Sequence, residues 1–389
     1  MTIELSVVGT AAAALLAAAV VALISTPVVR SLAFKIGAVD VPRDNRRMHN
    51  HPIPRMGGLA IFFGFILSAL IFIPLTTPLR GMLLGAVIIV ILGIFDDIYA
   101  LPAMPKFLIQ ILAALIAVLM GNRIDILSNP NIFSSDPYWV LGWLSIPISV
   151  IWIVGITNAV NLIDGLDGLA CGVSTISSMT MLVIALTVAE PEVALLMAAL
   201  SGGCIGFLPY NLNPAKIFMG DTGSTFLGFI LAVVSIQGLF KSYAIISFAV
   251  PFLMLGLPIF DTCFAIFRRV SHGQSPMAPD RGHIHHRLID MGFSQKQAVA
   301  VLYVISAILG LSAVVLTTTS VLKAMMVLLA LCVAGGLSAK LYLDRVNHRE
   351  PPESPAQDGA PARPRKLRQP PGDVAGNDYF FGEEERSDK

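Results

Sequence analysis

Carboxylate and amide side chains cluster at several places in the chain, each at the edge of an apolar run. Asp96 and Asp97 are adjacent, and neighbouring carboxylates repel each other unless a cation or a proton lies between them. Mg²⁺ suits such a pair because it prefers oxygen ligands and keeps some of its waters. A solvated helix end is the simpler explanation for an isolated pair. Lys106, shortly after it, could anchor the next apolar run by snorkelling or bind an anion.

The segment NAVNLIDGLDGLA carries the most specific pattern. Asn158, Asn161 and Asp164 recur every three residues and Asp167 extends the series, so a helix would place them on one face. Amides can donate to phosphate or base edges, and carboxylates can hold a metal or ribose hydroxyls. A helix cap would explain one aspartate but not the series. The pattern therefore predicts a ligand-binding surface.

Two further segments, KIFMGDTGSTFLG and SPMAPDRGHIHHRL, add acidic and cationic groups. Asp221 lies between glycines before an apolar run, where backbone N–H groups attract phosphate and the carboxylate could complete a metal site. A turn with a helix cap explains that segment equally well. Arg281, His283, His285 and His286 suit a polyphosphate better than zinc, because no cysteine is near and HxHH lacks the spacing of a helical zinc pair. A basic loop beside the membrane is the simpler alternative.

The chain that carries these groups is far more apolar than a soluble domain. Of its 389 residues, 55% are apolar and 13% are charged, whereas soluble domains have about 45–50% and about 25%. The apolar residues form about eleven blocks long enough to be membrane-spanning helices. The sequence therefore predicts an all-α, polytopic integral membrane bundle with about 10–11 transmembrane helices over residues 1–343. Residues 344–389 are predicted to be a disordered cytoplasmic tail.

Alternation of the loops places all four polar clusters on one membrane face. That face holds thirteen Lys and Arg residues against four on the other, so it is predicted to be cytoplasmic, with the N-terminus outside and the C-terminus inside. An ion-coupled transporter would place carboxylates near mid-span, often in repeated halves, and no repeat is found. Asp261, inside an apolar block, must face the protein interior and is predicted to be structural.

Carboxylates for a divalent ion, glycine-rich turns and cationic side chains at one membrane surface suit one chemistry. This chemistry is phosphoryl transfer between a soluble nucleotide and a lipid phosphate, in which a metal and cationic groups stabilise the charge of the transition state. No nucleic-acid partner is expected. A pure scaffold role would leave the acidic pair and the histidines unexplained.

Five segments in order carry a resemblance to a known family: PRMGGLA, FDD, NAVNLIDGLDGLA, KIFMGDTGS and DRGHIHHRL. The chain resembles the polyprenyl-phosphate N-acetylhexosamine-1-phosphate transferase superfamily, glycosyltransferase family 4, over residues 27–300. The HIHH form and the Pro-Asp-Arg-Gly before it are similar to the branch that uses UDP-GlcNAc. The branch that uses UDP-MurNAc-pentapeptide typically carries three consecutive histidines instead.

The resemblance implies a Mg²⁺- or Mn²⁺-dependent enzyme of the plasma (inner) membrane with its active site on the cytoplasmic face. It would transfer GlcNAc-1-phosphate from UDP-GlcNAc to undecaprenyl or another polyprenyl phosphate, release UMP and start cell-envelope glycan synthesis. A phospho-MurNAc-pentapeptide transferase and transferases for other UDP-N-acetylhexosamines stay open, as do the glycan pathway, the polyprenol length and a homodimer. By motif, the implied catalytic residues are Asp96, Asp97, Asp164 and Asp167, the metal ligands Asp221 and Asp164, and the substrate-binding residues Lys106, Asn158, Asn161, Arg281, His283, His285 and His286.

Overall fold

The computed structural model describes residues 5–41, 51–128, 136, 138–238, 249–275 and 282–318. Within these ranges the chain is almost entirely helical. The helices are α1 (Leu5–Ile36), α2 (Gly58–Phe72), α3 (Thr77–Tyr99), α4 (Ala103–Leu119), α5 (Ser145–Leu162), α6 (Leu169–Thr187), α7 (Pro191–Asn211), α8 (Gly220–Gly238), α9 (Ala249–Met254), α10 (Gly256–Ser271), α11 (Ile284–Asp290) and α12 (Gln295–Thr318).

Four short strands form two antiparallel pairs between helices. The strands are β1 (Val39–Asp40), which pairs with β2 (Ile53–Pro54), and β3 (Ile126–Ser128), which pairs with β4 (Tyr138–Val140). A 3₁₀ turn (Gly142–Leu144) joins β4 to α5. The first pair precedes α2, and the second lies between α4 and α5.

The predicted polytopic helical membrane protein is confirmed. Six stretches of helix are long and apolar enough to cross a bilayer, and α2 and α4 are shorter apolar helices. The six, found among the described residues, are Ser6–Ile36, Thr77–Tyr99, Gly142–Leu162, Leu169–Thr187, Pro191–Asn211 and Gln295–Thr317. The last predicted span and the tail lie outside the described ranges, and the orientation of the termini stays a prediction.

Helix α8 forms the centre of the bundle and packs against α2, α3 and α5. Every residue from Thr222 to Ile236 is buried. The Phe226 ring meets the rings of Phe62 and Phe65 edge-on, with centroids 5.5 and 5.6 Å apart. The surrounding helices therefore fix the direction of α8 and the position of its first turn.

One of the apolar blocks predicted to span the membrane, residues 243–267, is interrupted where α9 ends at Met254 and α10 begins at Gly256. Pro258 has no backbone N–H and cannot bond to the carbonyl four residues earlier. That carbonyl, of Met254, instead accepts a hydrogen bond of 2.9 Å from Ser177 Oγ on α6. The break thus has a covalent cause, and its freed acceptor is satisfied by a neighbouring helix.

Helices α2 and α8 begin in direct backbone contact. Gly57 N and Gly58 N donate to Phe218 O and Met219 O, both at 2.9 Å. A Cβ atom on Gly58 would lie 1.9 Å from Gly223 Cα, so no side chain fits between the two helix starts. The glycines of the PRMGGLA segment therefore allow α2 to support the beginning of α8.

We expect Gly58→Ala to lower the unfolding free energy by about 1–3 kcal/mol, because the added methyl group can be accommodated only by moving a helix backbone. Thermal unfolding of the detergent-purified protein measures this change. Gly155→Ala is the matched control, since a Cβ at that helical position meets nothing within 4 Å. Equal melting temperatures for the two variants would contradict the proposed close contact.

Candidate active site

Four helix ends meet at one end of the bundle: the ends of α3 and α5 and the beginnings of α4 and α8. Asp96 and Asp97 come from the first, Asn161 from the second, Lys106 from the third and Asp221 from the fourth. Hydrogen bonds or ion pairs connect the side chains of Asp96, Lys106, Asp221 and Asn161, and Asp97 accepts from the backbone N of Asp221. The prediction that these clusters share one face of the bundle is confirmed.

Asp97 caps the beginning of α8. Its Oδ1 accepts from Asp221 N at 2.9 Å, and its Oδ2 accepts from Thr222 N at 3.1 Å and from Thr222 Oγ1 at 2.7 Å. The first N–H groups of a helix have no partner within the helix, so a carboxylate aimed at them is stabilising. Asp97 is buried, and it thereby fixes the backbone of the residue that carries the Asp221 carboxylate.

Lys106 bridges two of the carboxylates. Its Nζ lies 2.7 Å from Asp96 Oδ2 and 3.4 Å from Asp221 Oδ2, and Asp96 Oδ1 accepts from Leu101 N at 2.7 Å. Because Asp96 and Asp97 are both buried, a solvated helix end does not explain the acidic pair. The Lys106 side chain is 29% exposed, so its ammonium group can also meet an anion from outside the protein.

Asn161 orients the second oxygen of Asp221. Its Nδ2 donates to Asp221 Oδ1 at 3.1 Å and to Ser224 Oγ at 2.8 Å. Asn158, one turn earlier, donates instead to Gln110 Oε1 at 2.6 Å. Gln110 was missed by the sequence analysis, although its position one turn after Lys106 on α4 places both on the same helix face.

The expectation that one helix presents the whole Asn/Asp series is wrong for its last two members. Helix α5 ends at Leu162, and Asp164 and Asp167 lie in the turn before α6. Asp167 Oδ2 accepts from Asn213 Nδ2 at 2.9 Å and from Ala215 N at 3.0 Å. Asp167 therefore holds the loop that leads into α8, whereas Asn161 contacts the Asp221 carboxylate.

The turn that holds Asp164 carries unbalanced negative charge. Burial, followed by the charges of Asp221 and Asp97, raises the pKa of Asp164 to about 8, while Arg55 acts in the opposite direction. A cation next to this buried carboxyl group would favour its ionised form. The electrostatics of the site thus fit an added positive charge.

The donor set fits Mg²⁺ rather than a metal held by protein alone. In the described parts of the chain, no three His, Cys, Asp or Glu side chains form a ready ligand group. Mg²⁺ usually binds through one or two carboxylates and keeps waters or substrate phosphates in the remaining positions. Asp221, with 34% of its side chain exposed, and Asp164 could provide these carboxylates.

The histidine segment is held by Asp261, a buried residue of α10. His283 Nδ1 lies 2.9 Å from Asp261 Oδ2, and Ile284 N donates to Asp261 Oδ1 at 2.8 Å. Because a carboxylate only accepts, Nδ1 of His283 is the donor, and Nε2 is left to face other groups. The prediction that Asp261 faces the protein interior is confirmed, since it is 2% exposed. The sequence did not predict that Asp261 contacts His283. Arg281, the other predicted member of this segment, lies outside the described residues.

His285 brings this segment against the turn of Asp164. A Cβ atom on Gly165 would lie 2.2 Å from His285 Nε2, so only glycine allows the imidazole to pack there. The rings of His285 and His286 are 4.2 Å apart between centroids. Burial, followed by the charge of His286, lowers the pKa of His285 to about 4, so this imidazole is neutral at pH 7.

We expect the protein to become less stable as the pH falls, because His285 is neutral in the folded state. Its pKa is about 4 when folded and about 6.5 when unfolded, so below pH 6.5 the unfolded chain binds the proton first. The contribution lost between these values is about 3 kcal/mol. Melting temperatures measured from pH 7 to pH 5 should drop less in His285→Gln than in wild type, with exposed His272→Gln as control. Parallel drops in all three would contradict the buried neutral imidazole.

Comparison with known proteins identifies the family of this chain. The glycosyl transferase family 4 model matches residues 79–239. The chain is 46% identical over 312 residues to the "Probable undecaprenyl-phosphate N-acetylglucosaminyl 1-phosphate transferase" of Bacillus subtilis (strain 168), covering 80% of this chain and 86% of that protein. It is 34% identical over 333 residues to the "Decaprenyl-phosphate N-acetylglucosaminephosphotransferase" of Mycolicibacterium smegmatis, covering 77% and 79%.

A relative from another branch is also similar. The "Phospho-N-acetylmuramoyl-pentapeptide-transferase" of Staphylococcus aureus (strain JH9) is 32% identical over 276 residues, covering 66% of this chain and 83% of that protein. The range matched by the family model, residues 79–239, includes the ends of α3 and α5 and the beginnings of α4 and α8. The chain therefore belongs to glycosyl transferase family 4, in the superfamily of polyprenyl-phosphate N-acetylhexosamine-1-phosphate transferases.

Proposed function

We propose that this protein transfers GlcNAc-1-phosphate from UDP-GlcNAc to a polyprenyl phosphate, giving polyprenyl-diphosphate-GlcNAc and UMP. The observation that carries the proposal is the position of Lys106 between Asp96 and Asp221 at the end of the bundle. The partly exposed ammonium group of Lys106 could bind the lipid phosphate, and the Asp221 carboxylate beside it could bind a metal that holds the diphosphate. The names of the relatives from Bacillus and Mycolicibacterium support the sugar and the lipid.

The reaction is a displacement at phosphorus. An oxygen of the lipid phosphate bonds to the β-phosphorus of UDP-GlcNAc, the bond from that phosphorus to the oxygen bridging the α- and β-phosphates breaks, and UMP leaves. A phosphomonoester has a second pKa of about 6, so the attacking oxygen is already ionised near pH 7. Asp96 therefore acts by holding Lys106 in place, and little help from a base is required.

The remaining acidic, amide and imidazole side chains would each bind or position a different group. Asp221 and Asp164 would hold Mg²⁺ or Mn²⁺, which when bound neutralises the diphosphate and the leaving UMP. Asn161 holds the Asp221 carboxylate in position, and Asp97 holds its backbone. His283, His285 and His286, with Arg281, would contact the diphosphate and the sugar.

A panel of UDP-sugars tests the proposal. Purified protein in detergent is given undecaprenyl phosphate, Mg²⁺ and UDP-GlcNAc, UDP-GalNAc, UDP-glucose or UDP-MurNAc-pentapeptide, and released UMP and lipid product are counted. We expect UDP-GlcNAc to be the preferred substrate and EDTA to stop release. Preference for UDP-MurNAc-pentapeptide would assign the chain to the branch of the Staphylococcus relative. Uptake of solute by vesicles without UMP release would favour a transporter.

We also propose that the site faces the cytoplasm, where nucleotide sugars are made. The excess of Lys and Arg in the loops on this side supports that orientation. Inverted membrane vesicles should consume added UDP-GlcNAc, and sealed right-side-out vesicles should not until they are permeabilised. The reverse pattern would place the site on the outer face.

A further inference from the structure

The pair of strands between α4 and α5 presents an apolar and aromatic surface that no described part of the chain covers. Tyr138 is 47% exposed, Trp139 51%, Val140 79% and Trp143 80%. Ile126, directly opposite Val140 in the strand pair, is also exposed. We call the side chains of these five residues the hairpin surface.

The hairpin surface lies at the end of the bundle away from the candidate active site. Lys106 is near the beginning of α4, and Asn161 is near the end of α5. The strands follow the end of α4 and precede the beginning of α5. They are therefore separated from Lys106 and Asn161 by about the length of α4, roughly 25 Å. The surface is therefore on the membrane face opposite the site.

A few contacts of the described residues hold the strands to the rest of the fold. Leu127 is partly buried against the core, Leu141 N donates to Asp125 O at 2.9 Å, and Ile124 N donates to Ser149 Oγ at 2.8 Å. The side chains of β4 alternate between the two faces of the strand pair and are exposed on both. Because an isolated pair of strands is marginally stable in water, these exposed side chains need an apolar or interfacial environment. Large exposed apolar patches on proteins usually mark contact with a membrane or a partner.

We propose that the hairpin surface is inserted into the lipid headgroup region of the leaflet opposite the active site and anchors the α4–α5 end of the bundle there. Trp and Tyr are the residues enriched at membrane–water interfaces, because their rings are apolar and their N–H and O–H groups are polar. Leu119, the last residue of α4, and Ile151, about two turns inside α5, are also exposed, at 65% and 71%. The exposed ion pair of Arg123 with Asp125, at 2.9 Å, supplies polar groups at the same level.

Fluorescence quenching by labelled lipids tests this proposal. The chain has three tryptophans, and Trp152 lies inside α5, where its Nε1 donates to Ser235 Oγ at 3.0 Å. Wild type and Trp139→Phe/Trp143→Phe, both retaining Trp152, are placed in phosphatidylcholine vesicles that contain lipid with a spin label at carbon 5 or at carbon 16. The difference between the two proteins reports the emission of Trp139 and Trp143 alone.

We expect this emission to be quenched about twofold more by the carbon-5 label than by the carbon-16 label, and to be shielded from aqueous iodide. Quenching by iodide without quenching by either lipid would show that the surface is in water and would overturn the proposal. Protection from iodide and from both lipids would also overturn it, in favour of a covering protein such as a second copy. If the double variant is unstable, Trp143→Tyr at the most exposed position gives the same difference measurement.

Discussion

Asp221→Asn is expected to abolish the release of UMP from UDP-GlcNAc, with a loss of about 10³-fold or more in kcat. The substitution keeps the size of the side chain and removes the charge that would hold the divalent cation. It also removes the carboxylate that faces Lys106 at 3.4 Å and Asn161 at 3.1 Å. Initial rates with labelled UDP-GlcNAc, undecaprenyl phosphate and a Mg²⁺ titration measure the effect.

Asp125→Asn is the matched control for this variant. Asp125 is an exposed aspartate that pairs with Arg123 beyond the end of α4, at the other end of the bundle. We expect its replacement to leave the rate and the Mg²⁺ dependence within about twofold of wild type, as for a surface ion pair. Wild-type rates and Mg²⁺ dependence in Asp221→Asn would exclude Asp221 as the metal ligand.

Asp97→Asn is expected to lower kcat by about 10²-fold and to destabilise the protein by about 1–3 kcal/mol. The wild-type carboxylate accepts three hydrogen bonds from the first turn of α8. An asparagine amide would direct N–H groups at backbone N–H groups, so at least one buried donor would lose its partner. The start of α8 would then shift, and Asp221 would move with it.

Thr222→Val separates the two effects of Asp97. It removes only the 2.7 Å hydroxyl hydrogen bond and keeps both backbone donors on Asp97. We expect a stability loss of about 1 kcal/mol and a much smaller loss of kcat than in Asp97→Asn. An Asp97→Asn protein that melts and turns over like wild type would contradict the assignment of Asp97 as the cap of α8.

The sequence was sufficient to predict the helical bundle and the meeting of its polar clusters. Both follow from simple physics, since lipid requires helices and alternating spans return every second loop to the same face. Asp96, Asp97, Asn161 and Asp221 could therefore be grouped from the sequence.

Other features depend on contacts between distant parts of the chain and could not be predicted. The three-residue spacing of the Asn/Asp series indicated one helix face, but α5 ends at Leu162 and turns Asp167 towards Asn213. Asp261 was recognised as costly in lipid, yet its partner His283 is 22 residues away. Gln110 is a single polar residue in an apolar block, and its hydrogen bond with Asn158 depends on the packing of α4 against α5.

We expect one divalent cation, held by Asp221 beside the diphosphate, to complete this site. Electron paramagnetic resonance of Mn²⁺ bound to the purified protein, with UDP-GlcNAc present, measures this directly. One Mn²⁺ should bind per chain, its electron spin should couple to ³¹P of the nucleotide sugar, and both should be lost in Asp221→Asn. Undiminished Mn²⁺ binding in that variant, or bound Mn²⁺ without phosphorus coupling, would show that Asp221 does not hold the cation at the diphosphate.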